Sequence, residues 1–200
     1  MREELGVVEF QLYLLKTMMP PAAALVALLE RFQKSEIDLN RASERVSKLL
    51  RPRFREPGPA PAMSEDVARM LEGAAVLSPA EYSGDGQWYR FPVWPEFVFH
   101  MTFEDSLGFL NVAEFRWWPS ARDGNRNPEV WHFLESDLKT HFDEIKEIDV
   151  WGHYRSYTGR SLTDGHEYFL RFGYALLQEI THMGQEDRCS FLGGASRSWG

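Results

Sequence analysis

The sequence predicts an α+β fold: an N-terminal helical hairpin or arm, then an antiparallel β-hairpin or small sheet packed against two or three C-terminal helices. Three observations carry this reading. Apolar residues recur at three- and four-residue spacing through the first fifty positions. From Phe97 to Phe103 they alternate at period two, as a half-buried strand requires. After Pro128 the helical spacing returns twice. A hydrophobic share of 44% and an aromatic share of 14% give enough apolar surface for a core.

The first helix is expected over residues 3–18 and ends at Pro20-Pro21, because proline lacks the backbone donor and restricts the residue before it. Helical spacing resumes over 22–50 with Leu25, Leu28, Phe32, Leu39, Ala42, Val46 and Leu49. One polar break falls at Ser35, where Asp38 three residues on completes a capping pattern. The stretch is therefore one long helix or two shorter ones. Its narrow apolar seam fits a hairpin with the first helix or a short coiled-coil dimer, so residues 22–50 are the place for a homo-oligomer contact.

Four prolines in "RPRFREPGPAPA", residues 51–62, exclude helix and central strand and make a stiff, extended linker. Arg51, Arg53 and Arg55 make it locally basic, as a docking segment for an acidic group or as a solvated tether. A short helix follows over 64–75, with Ser64 as N-cap and Glu65 and Asp66 in the dipole-favoured first turn. "SGDG" at 83–86 is a turn.

The stretch "GQWYRFPVWPEFVFHMTFED" holds seven aromatic residues. Phe97, Phe99, Met101 and Phe103 face the core of the first strand. Pro92 and Pro95 keep the preceding part irregular, which leaves Trp88, Tyr89 and Trp94 as candidates to meet a partner. "FLNVAEFRWW" (109–118) is the second strand. Trp117 and Trp118 would point to opposite faces, and with Arg116 they belong to the residue types enriched at interface hot spots.

A helix is expected from Asn127, as N-cap, and Pro128 to about 148, with Val130, Leu134, Leu138, Phe142, Ile145 and Ile148 as its buried stripe. Residues 150–159 form a short strand. The last helix starts at Thr163, buries Phe169, Phe172, Leu176 and Ile180, and stops at Gly184. The organisation is thus a helical arm (1–50), a Pro/Arg-rich linker (51–62), an α+β domain (63–184) and a loop or tail (185–200).

Net charge is −8, distributed as +2 over residues 1–62 and −10 over 63–200. Nucleic acid is therefore an unfavourable partner for residues 63–200, since phosphates need neutralising cations. A protein with a basic surface is a favourable one; solubility alone would also account for the charge. The longest uninterrupted apolar run, residues 18–29, is too short to span a bilayer. No membrane association is expected and the expected location is cytoplasmic. The single cysteine, Cys189, makes no internal disulfide.

No motif carries chemistry strongly. No cofactor fingerprint and no Gly-x-Ser-x-Gly occur. Five of six histidines lie in the second half, but only Glu179-x-x-His182 has the order used in di-metal bundles, so no metal site is expected. "HYRSYTGRSLTDGHE" (153–167) gathers Arg155, Arg160, Tyr157 and Thr158 as candidate anion ligands ahead of a helix start. His166 and Glu167, in that helix's first turn, are the candidate acid–base pair. The bland alternative is a polar turn with surface ion pairs. Two functional readings follow. The first is a non-catalytic, acidic protein-interaction domain, either an immunity- or antitoxin-like inhibitor or a subunit of a larger assembly. The second is an enzyme acting on a phosphate- or carboxylate-bearing small molecule through the 153–167 cluster.

Overall fold

The computed structural model describes residues 5–20, 22–50, 63–76, 82, 86–103, 110–121 and 127–184. The expected linker at 51–62 with its three arginines, most of the turn at 83–86 and the tail at 185–200 lie outside the described residues. The class is α+β: N-terminal helices followed by two four-stranded antiparallel sheets.

Helix α1 is Val7–Met18, and α2 (Ala22–Phe32) and α3 (Glu36–Leu49) are separate helices. The break falls at Ser35, whose hydroxyl accepts from Asp38 N at 3.2 Å while Asp38 Oδ2 accepts from Ser35 N at 2.9 Å. This reciprocal cap satisfies two backbone donors and fixes the start of α3. Helix α4 is Met63–Leu71, beginning one residue before the expected cap.

The first sheet runs β1 (Ala75–Val76), β2 (Gln87–Tyr89), β3 (Phe97–Phe103), β4 (Leu110–Trp117), in that order. The expected β3–β4 hairpin is present, with Phe99 opposite Phe115. Its inner face packs on the N-terminal helices. Phe10 of α1 lies 5.8 Å from Phe91 and 5.9 Å from Phe99, ring centre to ring centre. Gly86 passes so close to the outer face that a Cβ there would lie 2.4 Å from His100 Nε2.

The C-terminal half departs from expectation: it is mostly strand, not helix. Only a 3-10 turn (Glu135–Asp137) and one α-helical turn, α5 (Leu138–His141), survive of the helix expected over 128–148. The rest is β5 (Phe142–Trp151), joined by β6 (Tyr154–Ser161), β7 (Glu167–Gly173) and β8 (Leu176–His182) in a sheet of that order. The reason lies in the register. Between Asp143 and Lys146, β5 spends three steps where β6 spends two, and between Glu147 and Asp149 two steps where β6 spends one. Each is a bulge, an extra residue in one strand. Bulges stretch period two towards three, so Phe142, Ile145 and Ile148 imitate a helical stripe. Glu144 adopts φ +48° at the first bulge.

The helix expected at 163–184 is likewise the β7–β8 hairpin. Tyr174 and Ala175 form its turn at φ +53° and +65°, values that hairpin turns favour but that usually call for Asn or Gly. A bulge at Gln178 again breaks the alternation, since Arg171 faces Glu179 but Phe172 faces Leu177. Leu170, Phe172 and Leu177 are buried with Phe133, Leu138 and Phe142 in a second core cluster.

Candidate functional site

Two features of the second sheet could serve function: its outer strand and the cleft where it meets the first sheet. Strand β5 is an edge strand. Phe142 is buried and Ile145 half-buried; the other eight residues are exposed. Asp143, Glu144, Glu147 and Asp149 stand there against the single cation Lys146. The strand then turns apolar: Ile148 is 44% exposed, Val150 48% and Trp151 76%. Gly152, at φ +60°, supplies the positive dihedral of the two-residue turn into β6. The Trp151 indole lies nearly parallel to Tyr154, 18° between planes and 6.1 Å between centres. The Tyr154 hydroxyl donates to the Thr17 carbonyl at the end of α1, which ties the hairpin tip to the N-terminal helices.

The cleft has a volume of about 630 Å³. One rim is Glu114, Arg116 and Tyr82 of the first sheet; the other is Glu135, His153 and Arg155. Across its base Phe115 N donates to Tyr174 O at 2.8 Å. Both arginines are met by carboxylates. Arg116 reaches Glu114 at 2.5 Å, and Arg155 reaches Glu135 at 3.3 Å and Glu147 at 3.9 Å. His100, its Nδ1 3.8 Å from the carboxylate, and the Arg116 guanidinium hold the Glu114 carboxyl below its usual range. His153 stacks on Tyr174 at 4.6 Å, and burial lowers its imidazole pKa.

The anion cluster expected at 153–167 is not assembled in one place. Arg155 and Arg160 are five positions apart on β6, hence on opposite faces and roughly 17 Å apart. Arg160 pairs with Glu144 at 3.1 Å, away from the cleft. Tyr157 and Thr158, adjacent in sequence, also face opposite ways. The Tyr157 hydroxyl donates to Glu135 at 2.5 Å, and burial together with Glu135 pushes its pKa up to about 12. His166 and Glu167 are not in a helix. His166 is an exposed residue just before β7, its ring 4.8 Å from His182, and Glu167 opens β7 opposite Arg160. Of these six residues only Arg155 lines the cleft.

Four of the five aromatic candidates prove to be core. Trp88, Tyr89, Trp94 and Trp117 are all buried. The prolines did not prevent this, because Pro92 and Pro95 sit on the exposed side of a turn whose Phe91 and Trp94 point inward. Burial pushes the Tyr89 pKa up to about 12. Trp94 meets Phe115 edge-on at 4.9 Å, and Trp117 Nε1 donates to Asp137 at 2.6 Å. Trp118 is half-buried with the Arg90 guanidinium 4.7 Å above its ring. Of this set Arg116 and Trp117 line the cleft. Sequence reasoning placed Ile148 in a buried helical stripe, whereas it is exposed, and gave no role to Val150, Trp151 or His153. The available signal was the Trp-Gly pair at a hairpin tip after an acidic run.

Comparison with protein-family models, with curated proteins and with solved structures finds no match to the chain. Among the described residues no three or more His, Cys, Asp or Glu side chains are grouped to hold a metal ion. No described helix is long and apolar enough to cross a membrane.

Proposed function

We propose that the protein is a non-catalytic interaction domain that binds a protein partner with a basic surface, through the outer strand of its second sheet. The observation that carries this reading is the exposure of β5: four carboxylates, with Lys146 among them, share one outer strand with exposed Ile148, Val150 and Trp151. Charge steers and selects the partner, while a desolvated tryptophan supplies affinity. The charge of −10 over residues 63–200 supports the same choice of partner. An immunity- or antitoxin-like inhibitor and a subunit of a larger assembly both fit, and the partner's own activity separates them. The alternative reading, an enzyme for a phosphate- or carboxylate-bearing molecule, retains Arg155 at the cleft with its charge already met by Glu135; it ranks second. Affinity capture with the full chain from its native host tests the first reading. One stoichiometric basic protein should be retained, and should be lost with Trp151→Ala. A chain that retains nothing, or retains the same protein after that change, counts against it.

A further inference from the structure

Helix α2 has two apolar faces and only one of them is covered. Leu28 and Leu29 are buried and Leu25 and Phe32 half-buried, all on the inner face. The outer face carries Ala22, Ala23, Val26 and Ala27, all exposed, with Val26 at 55%. Two more apolar side chains near it in sequence are exposed, Met19 at 54% at the end of α1 and Ile37 at 70% in the first turn of α3. A surface helix normally turns charged residues outward. Here the first charge on the outer face is Glu30, in the last third of the helix.

From this face we infer that the chain forms a two-fold dimer in which α2 packs antiparallel against α2 of a second copy. Three features select a second copy. First, the stretch from Ala22 to Ala27 bears no charge that would choose a charged partner, and its alanines let two helices approach closely. Second, the face is self-complementary about Val26, as a two-fold interface must be. Third, α2 has no acidic residue in its first turn, and the same pairing sets Glu30 of each copy beside that N-terminus in the other. A carboxylate there is favoured by the helix dipole. Eleven residues give a contact about 16 Å long, which puts the interface at the small end of specific ones. The dimer is independent of the partner reading, because α2 and β5 share no residue.

Sedimentation equilibrium of the full chain, from about 1 to 200 μM, tests it. The expected result is reversible dimerisation, weakened at least about tenfold by Val26→Glu, with the circular-dichroism melt unchanged under dilution to the monomer, since the side chain is exposed there. In a Cys189→Ser background, Val26→Cys should give a disulfide-linked dimer on mild oxidation. A monomer throughout that range overturns the inference. So does a dimer that is indifferent to Val26→Glu and yields no Val26→Cys cross-link.

Discussion

Trp151 lies nearly parallel to Tyr154 across the β5–β6 turn, and Tyr154 is in turn bonded to the Thr17 carbonyl of α1. The most exposed aromatic side chain among the described residues is thus held on a fixed base. A rigid, exposed indole loses little entropy on binding, which is what a hot-spot residue requires.

Replacing it should therefore separate binding from folding. Trp151→Ala is expected to change stability by less than about 1 kcal/mol, as for other exposed positions. It should weaken the partner complex by about 2 kcal/mol or more. Thermal melts and a titration on the same samples check both halves.

The carboxylates should act mainly on the rate of association. Asp143→Lys together with Asp149→Lys is expected to lower the association rate and flatten its dependence on salt, leaving dissociation nearly unchanged. Stopped-flow or surface-binding kinetics at low and physiological ionic strength read this out.

Glu144 offers a test of the bulged strand itself. It sits at φ +48°, where a side chain costs about 1–2 kcal/mol and glycine none. Glu144→Gly should be neutral or stabilising despite the lost surface pair with Arg160. In a helix, the same change would cost about 1 kcal/mol. The sign of the shift in Tm decides.

Much of the first half of the fold is legible from sequence. The Ser35 break is visible because a cap is a local device, and β3 because Phe97, Phe99 and Met101 alternate in sequence before the register with β4 shifts at Thr102 and Phe103. The second half is not, and the cause is physical. Three bulges shift the apolar period towards that of a helix, and the Tyr174–Ala175 turn lacks Gly and Asn at its positive dihedrals. The candidate site failed with the helices that were to carry it. A helix start at Thr163 would have gathered His166, Glu167 and Arg160 round one N-terminus, whereas strand geometry sends Arg155 and Arg160 to opposite faces. Trp88 and Tyr89 were misplaced because proline restricts backbone donors, not the direction of its neighbours' side chains.

Buried tyrosines set the alkaline limit, Tyr174 among them, its hydroxyl pKa pushed up by burial. Tyr89 and Tyr157 both have pKa values raised to about 12 in the folded state, so the native protein keeps protons that the unfolded chain releases from about pH 10. Stability should hold up to pH 10 and fall progressively towards pH 12. Tyr157→Phe should soften that fall, as chemical denaturation across this range would record.

At the acid end the sign reverses. The His153 pKa is lowered by burial, so the unfolded chain takes up its proton first. Its contribution to stability is present above the ordinary histidine pKa of about 6.5 and is lost as pH falls below it. His153→Gln should remove that part of the acid response while leaving stability at pH 8 close to the parent's.

The most direct test of the acidic outer strand as a partner surface is photo-cross-linking in the native host, with benzoylphenylalanine in place of Trp151. One discrete adduct with a basic protein is expected, absent when the same group replaces the exposed Glu65 on α4. No adduct at position 151, or the same pattern from both positions, would contradict it.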